Sequence, residues 1–143
     1  MATPYSKIFK KFLKRIEDID LPKFEEEEQN EMLMDWLDTA IGFIQSGGLT
    51  MKNDLTLRDD ELQEFEEDLI TAEIEAIALY MVVAWYEPKI NSLDHILMYA
   101  GSKSEMPKQK EHFEMMVNAR NNAKSEARAY FLNYSCKNNS YLS

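Results

Sequence analysis

The two histidines are the first candidates for chemistry in this sequence, because an imidazole can bind a metal ion or carry a proton near neutral pH. A di-metal site in a helical bundle needs a carboxylate three positions before a histidine, so that both ligands point at one ion. Ser92 stands three positions before His95, and Gln109 stands three positions before His112. The spacing therefore argues against a di-metal site, and we expect both histidines at a surface or a helix edge.

Acidic residues are the second group of candidates, and four of them lie in one short segment: Asp54, Asp59, Asp60 and Glu61. The segment lacks the alternating acids and the central glycine of an EF-hand loop, so we expect its carboxylates to be solvated. Asp35 and Asp38 form another close pair, but no histidine or nucleophile stands beside them to build an acid-base site.

Glycine and cysteine usage exclude further classes of site. Glycine occurs only at positions 42, 47, 48 and 101, so neither a phosphate-binding loop nor a dinucleotide fingerprint can be written. The single cysteine, Cys136, cannot form an internal disulfide. We therefore predict no catalytic residue, no metal ligand and no cofactor, and we expect a protein that is not an enzyme.

Apolar residues at helical spacing predict a bundle of packing helices. Thr3 and Pro4 suit a cap and a first turn, and they open helix one, which a following Asp-Leu-Pro sequence breaks. Helix two begins with a run of glutamates and ends at Gly47 and Gly48, where a left-handed backbone is common.

The second half of the chain predicts three more helices. Thr71 suits the N-cap of helix three, and Pro88 is expected to end it. A short helix follows Ser92, and a long helix begins near Pro107. The apolar stripe of this last helix is interrupted at Arg120, which suits either close packing through small residues or partial exposure to a partner.

Two segments lack helical periodicity. Residues 49–68 include the alternating stretch LTMKNDLTL, with EFEED as a weak strand partner, and the segment is either disordered or built to touch something. Residues 135–143 form a polar tail. The expected fold is an all-α domain over residues 1–134. It is a helical bundle of four to five helices, with an extended arm or short hairpin between helices two and three and a flexible C-terminal tail.

The net charge of −10 is distributed in blocks. Residues 1–16 carry five cations and no acid, whereas residues 17–75 carry 20 acids and three cations. This charge distribution disfavours duplex-DNA binding and permits head-to-tail association of copies; a solvated acidic face is the simpler alternative.

The basic segment KIFKKFLKR could bind a membrane surface or a partner's groove, or it could be a core helix whose lysines face water. No apolar run in the sequence is long enough to span a membrane.

Four stretches resemble one group of phage proteins. They are TPYSxIFxxFL at residues 3–13, RDDxLxxFxxDL at residues 58–69, DLxxxEIE at residues 68–75, and LYMVVAWYEPKINS at residues 79–92. In this order they resemble short acidic proteins encoded among the head and tail genes of tailed phages of Gram-positive bacteria. The resemblance covers most of residues 3–92, and residues 101–143 match only loosely.

The resemblance implies a head-tail connector, or adaptor, that forms a homo-oligomeric ring, a dodecamer, beneath the portal protein and contacts other neck or tail proteins. DNA would pass through its lumen without specific binding, and the protein would reside in the virion at the head-tail junction and in the host cytoplasm during assembly. By this resemblance the portal-docking tail holds Tyr134, Cys136, Tyr141 and Leu142. The inter-subunit arm holds Met51, Leu55, Leu57 and Phe65. The acids facing the lumen or a neighbour are Asp59, Asp60, Glu61, Glu66 and Glu67.

Two other functions remain open at the sequence level. One is a cytoplasmic interaction module, such as an acidic inhibitor that mimics DNA toward a host DNA-binding protein. The other is a tail-completion component of the neck.

Overall fold

The computed structural model of the protein describes residues 2–16, 21–47, 52–99 and 106–138. Within these ranges the chain forms four α-helices: α1 (Tyr5–Leu13), α2 (Glu26–Ser46), α3 (Thr71–Tyr99) and α4 (Met106–Asn138). A short 3-10 turn at Leu21–Lys23 precedes α2, and three two-residue strands form one small sheet. The predicted all-α bundle of four to five helices is confirmed.

Helix α3 lies at the centre of the bundle and contacts each of the other three helices, most extensively α4. Every residue from 76 to 85 is buried. We expected one apolar face on this helix, but neighbours surround it, and a helix that is apolar on all sides is stable only when it is enclosed.

The prediction that Pro88 ends this helix is wrong. Helix α3 continues through Pro88 to Tyr99, so the predicted third and fourth helices are one element. A proline has no N–H, so the carbonyl of Ala84 loses its usual helical partner, at a cost of about 3 kcal/mol. Trp85 and Ile90 on either side of the proline are buried, and this packing holds the helix together across the missing hydrogen bond.

The helix ends also differ from the predicted caps. Pro4, not Thr3, occupies the N-cap position of α1, and no side chain caps that end. Thr71 is the first residue of α3, whose start is capped instead by Glu73: its Oε1 accepts the Ile70 N–H at 3.0 Å. Gly47 ends α2 in a right-handed conformation with φ of −78°. Gly48 lies outside the described residues.

The arm between α2 and α3 folds as a short hairpin. Strands β2 (Arg58–Asp59) and β3 (Glu64–Phe65) pair antiparallel, and β1 (Thr3–Pro4) pairs with the other edge of β3. The weak strand expected in EFEED is therefore β3, and its strand partners are β1 and β2. The expected pairing with LTMKNDLTL is found at the end of that stretch, where the Glu66 N–H donates to the Leu57 carbonyl at 2.9 Å. Of the two alternatives for the arm, its described residues are ordered and touch the chain's own N-terminus.

Candidate interaction surfaces

A charged cluster around Glu75 joins three helices. Lys11 Nζ lies 3.1 Å from its Oε1, and Arg15 Nη2 donates to its Oε2 at 2.9 Å. Arg15 also lies 3.6 Å from Glu126 on α4. Burial alone would raise the pKa of Glu75, but the hydrogen bonds and charges of Arg15 and Lys11 outweigh it, so this pKa lies below its ordinary value.

Buried polar side chains fasten the arm to the bundle. The Thr3 hydroxyl donates to the carbonyl of Glu67 and accepts from the Leu69 N–H, both at 2.9 Å. The Glu73 carboxylate, only 4% exposed, accepts the Asn53 backbone N–H at 2.9 Å and the Asn53 side-chain amide at 2.6 Å. Thr3 and Glu73 thus have partners for their buried oxygens, and the arm is held at both of its ends. Arg58 Nη1, in contrast, is buried without a hydrogen-bond partner among the described residues.

Two further contacts fix the orientation of the hairpin relative to the bundle. The Tyr5 hydroxyl donates to Asp60 Oδ1 at 2.7 Å, and burial together with this carboxylate raises the pKa of Tyr5. Arg58 Nη2 lies 2.9 Å from Asp38 Oδ1 on α2, and Arg58 Nε lies 3.9 Å from Asp60 Oδ1. Arg58 therefore links the hairpin to the outer face of α2.

A strip of exposed acidic side chains runs along α2 and continues onto the hairpin. On α2, exposed carboxylates recur three and four positions apart, which places them on one helix face. The hairpin adds two more exposed acids: Asp60, which Arg58 connects to Asp38, and Glu61, which follows it in the sequence. The strip consists of Glu28, Glu31, Asp35, Asp38, Asp60 and Glu61.

The predicted acidic candidates divide into two groups. Asp60 and Glu61 belong to the strip, and Glu66 is exposed. The Asp59 side chain stabilises the turn that follows it, because its Oδ1 accepts the Glu61 and Leu62 N–H groups at 2.9 and 3.1 Å. Glu67 Oε1 accepts the Asp54 N–H at 3.4 Å. These last two carboxylates are partly committed to shaping the arm.

The residues predicted for contact between subunits lie mostly inside the protein itself. Leu55 is 4% exposed and Phe65 is fully buried, where its ring meets that of Tyr5 edge to face at 5.0 Å. Neither side chain is available to a neighbour in this conformation, because the single chain already uses it as core. Leu57 is 42% exposed, and Met51 lies outside the described residues.

The predicted docking tail is only partly described. Tyr134 and Cys136 lie within α4, which continues to Asn138 and so passes the expected start of the tail at residue 135. Tyr141 and Leu142 lie outside the described residues.

At the tip of the hairpin, residues 60–63, the sequence analysis singled out Asp60 and Glu61 but not Leu62 or Gln63. Leu62 is 69% exposed there, and it directly follows Asp60 and Glu61. The turn is fixed by Gln63 at φ of 53° and by the Tyr5 N–H, which donates to the Gln63 carbonyl at 2.8 Å. A single exposed leucine is common on protein surfaces, but here it stands on a fixed turn directly after two acids.

A basic groove where α2, α3 and α4 meet was also missed. It encloses about 420 Å³ over an aromatic floor of Phe43 and Tyr80, whose ring centroids are 6.2 Å apart. Burial raises the pKa of Tyr80, and the nearby guanidinium of Arg128 opposes this shift. The wall from α4 is polar and basic: Asn121, Lys124, Ser125 and Arg128. Because residues of three helices line the groove, no single segment of the sequence predicts it.

A second hollow of about 490 Å³ lies beside Pro88, between α3 and α4, and His112 lines it. Lys89 stands over the Trp85 ring at 4.8 Å nearby. His112 and His95 are both exposed, as expected. Among the described residues, no group of three or more His, Cys, Asp or Glu side chains is arranged to hold a metal ion.

Comparison with protein-family models, with curated proteins and with solved structures finds no match to this chain. In the described ranges, none of the helices combines the length and the apolar character needed to cross a membrane.

Proposed function

We propose that the protein is a structural component of a phage neck, a head-tail adaptor that forms a ring beneath the portal and extends the DNA channel. The observation that supports this proposal best is the segregation of charge on one helical scaffold. A ring of identical copies needs two different, complementary surfaces on each copy.

The basic surface lies on the outer face of α1. Lys7, Lys10 and Lys14 are exposed at helical spacing and form no ion pair with any part of the chain that the structure describes. Lys11 and Arg15 do not contribute to this surface, because Glu75 holds them. The acidic strip provides the complementary surface, and each of the two faces water and not the core. Such complementarity fixes the register of copies more than it adds affinity.

The adaptor proposal is tested by co-sedimentation of the full chain with portal particles of the same phage. We expect co-sedimentation of the full chain and loss of it after removal of residues 134–143. The truncation keeps Phe131, which is buried in the core, so the bundle is expected to fold.

A shorter truncation serves as the matched control. Removal of residues 139–143 leaves the whole of α4 in place, so it separates the contribution of Tyr141 and Leu142 from that of the last helical turn. Undiminished binding by both truncated chains would assign the portal contact to another surface, and absence of binding by the full chain would refute the adaptor.

The acidic strip also supports a second function, mimicry of DNA toward a host DNA-binding protein. Its carboxylates on α2 repeat at a rise of about 4.5–6 Å, wider than the axial spacing of about 3.4 Å between phosphates of one strand. The strip therefore imitates the sign and the linear arrangement of the phosphate charges, at a lower charge density. Neutralising Glu28, Glu31 and Asp35 to the corresponding amides should abolish capture of such a host protein. A variant with Asp94, Glu111 and Glu114 neutralised removes the same charge elsewhere. Association of the protein with virions instead of a host protein would exclude mimicry.

A further inference from the structure

The hairpin tip has the properties of a projecting ligand. Leu62 is 69% exposed. Of the two acids before it, Asp60 is partly neutralised by Arg58 at 3.9 Å, and Glu61 forms no ion pair in the described residues. The tip does not need to be ordered on binding, because the Asp59 side chain and the Tyr5 N–H already hold the turn. A preorganised segment of this kind loses little conformational entropy when it docks.

The basic groove has the complementary properties. Phe43 and Tyr80 supply apolar area, and Lys124 and Arg128 stand one turn apart on its α4 wall. Neither cation forms an ion pair with an acid in the described ranges, although the protein is strongly acidic. The groove volume of about 420 Å³ falls within the range of about 300–1,000 Å³ that is usual for binding pockets.

We propose that the hairpin tip of one copy docks in the basic groove of a second copy, with Leu62 on the aromatic floor and Asp60 and Glu61 beside Lys124 and Arg128. The occupant is a second copy because this chain itself supplies the matching apolar tip and the matching charges. The inference rests on the proposed ring and names one of its contacts. It assigns Asp60 and Glu61 to the groove, which leaves the α2 part of the acidic strip, Glu28 to Asp38, for the lysines of α1.

The contact is heterologous, since tip and groove are different surfaces. Repetition of such a contact closes into a ring when the rotation between copies divides a full turn. One tip in one groove buries less than the roughly 1,200 Å² that stable interfaces need. The contact is therefore weak in solution and strengthened when a portal collects many copies.

Cross-linking between two single-cysteine chains tests the contact. One full-length chain carries Leu62→Cys and the other carries Ser125→Cys, and both carry Cys136→Ala. A short bismaleimide should join them into a heterodimer when they are mixed at high concentration, and more efficiently on portal particles. Neither chain alone should yield the product, because each then lacks one of the two required thiols.

Charge reversal provides the specific control. Arg128→Glu added to the Ser125→Cys chain should lower the cross-linked yield about tenfold, because like charges then meet across the contact. Adding Glu61→Lys to the Leu62→Cys chain should restore it. Lys108→Glu, on an exposed part of α4 outside the groove, should leave the yield unchanged. Circular dichroism of each variant verifies its helical content.

The outcomes separate this inference from the proposed function. A heterodimer that responds to both reversals supports the contact, whether or not portal is bound. Co-sedimentation with portal without any heterodimer overturns the contact and leaves the adaptor standing. A heterodimer that ignores both reversals, or no heterodimer under either condition, also overturns the contact.

Discussion

At the scale of single residues, Glu73 bears the largest share of the contacts that hold the arm. Its carboxylate accepts three hydrogen bonds, two from Asn53 and one from the Ile70 N–H. It therefore fixes the arm and caps α3 at the same time. Hydrogen bonds to a charged acceptor stabilise a protein more than neutral ones do.

We expect Glu73→Ala to lower the free energy of unfolding by about 3 kcal/mol, because three donors lose a buried acceptor. Glu73→Gln should cost less, since it keeps one oxygen acceptor but turns an N–H toward donors. Urea unfolding followed by circular dichroism measures both. Glu66→Ala is the control, because this side chain is exposed and forms no ion pair in the described residues. Equal effects of Glu73→Ala and Glu66→Ala would contradict the assigned role.

At the scale of elements, Glu75 connects α1, α3 and α4 through Lys11 and Arg15. Its pKa is lower in the folded protein than its ordinary value of 4.5. A depressed carboxyl pKa means that the folded state prefers the ionised form. The resulting stabilisation is present above the ordinary value and is lost as the pH falls through the folded value.

Glu75→Gln should therefore reduce the free energy of unfolding at neutral pH and make little difference in strong acid. The measurement is denaturant unfolding of both proteins across the acidic range. Glu111→Gln, an exposed control that forms no ion pair in the described ranges, should change stability little at neutral pH. A difference between Glu75→Gln and the parent protein that stays constant with pH would refute the linkage.

The second prediction at this scale concerns Pro88 within helix α3. Pro88→Ala restores a donor for the Ala84 carbonyl within α3, so we expect the free energy of unfolding to rise by about 1–3 kcal/mol. Ser92→Ala, exposed one turn further along the helix, controls for helix propensity and should gain less than about 0.5 kcal/mol. Thermal unfolding compares the three proteins. A loss of stability in Pro88→Ala would show that the surroundings require the ring.

The elements also show what a sequence can and cannot predict. Helix α2 is predictable because its buried residues, Leu33, Leu37, Ala40, Ile41 and Ile44, follow the helical period. The continuation of α3 beyond Pro88 is not, since tertiary packing overrides a local rule there. The candidate acids at Asp60 and Glu61 are visible in the composition. The groove is invisible, because its lining comes from three helices distant in sequence.

At the scale of the whole molecule, the proposed ring would have to overcome the repulsion between copies that each carry a net charge of −10. The outer lysines of α1 are the cations most available for this purpose. They lie on a separate element from the acidic strip, so the two signs of charge do not cancel locally. The same segregation keeps acidic copies apart when their orientation is wrong.

Reversing Lys7, Lys10 and Lys14 to glutamate should reduce co-sedimentation with portal about tenfold, since like charges then meet in the ring. The matched control reverses Lys52, Lys108 and Lys110, which are also exposed and change the net charge equally. Equal losses in both triple variants would indicate that total charge matters and the α1 face does not. Higher salt should weaken the parent interaction more than that of the lysine variant.

The pairing of β1 with β3 also dictates when the arm can form. Thr3 bonds to Glu67 and Leu69, which lie 64 and 66 residues further along the chain. During synthesis on a ribosome, the N-terminal strand emerges first and remains unpaired until β3 has been made. Contacts between residues so distant in sequence also form slowly. The arm therefore joins the N-terminal strand only after all of α2 and the hairpin have been synthesised, although β1 is the first strand to leave the ribosome.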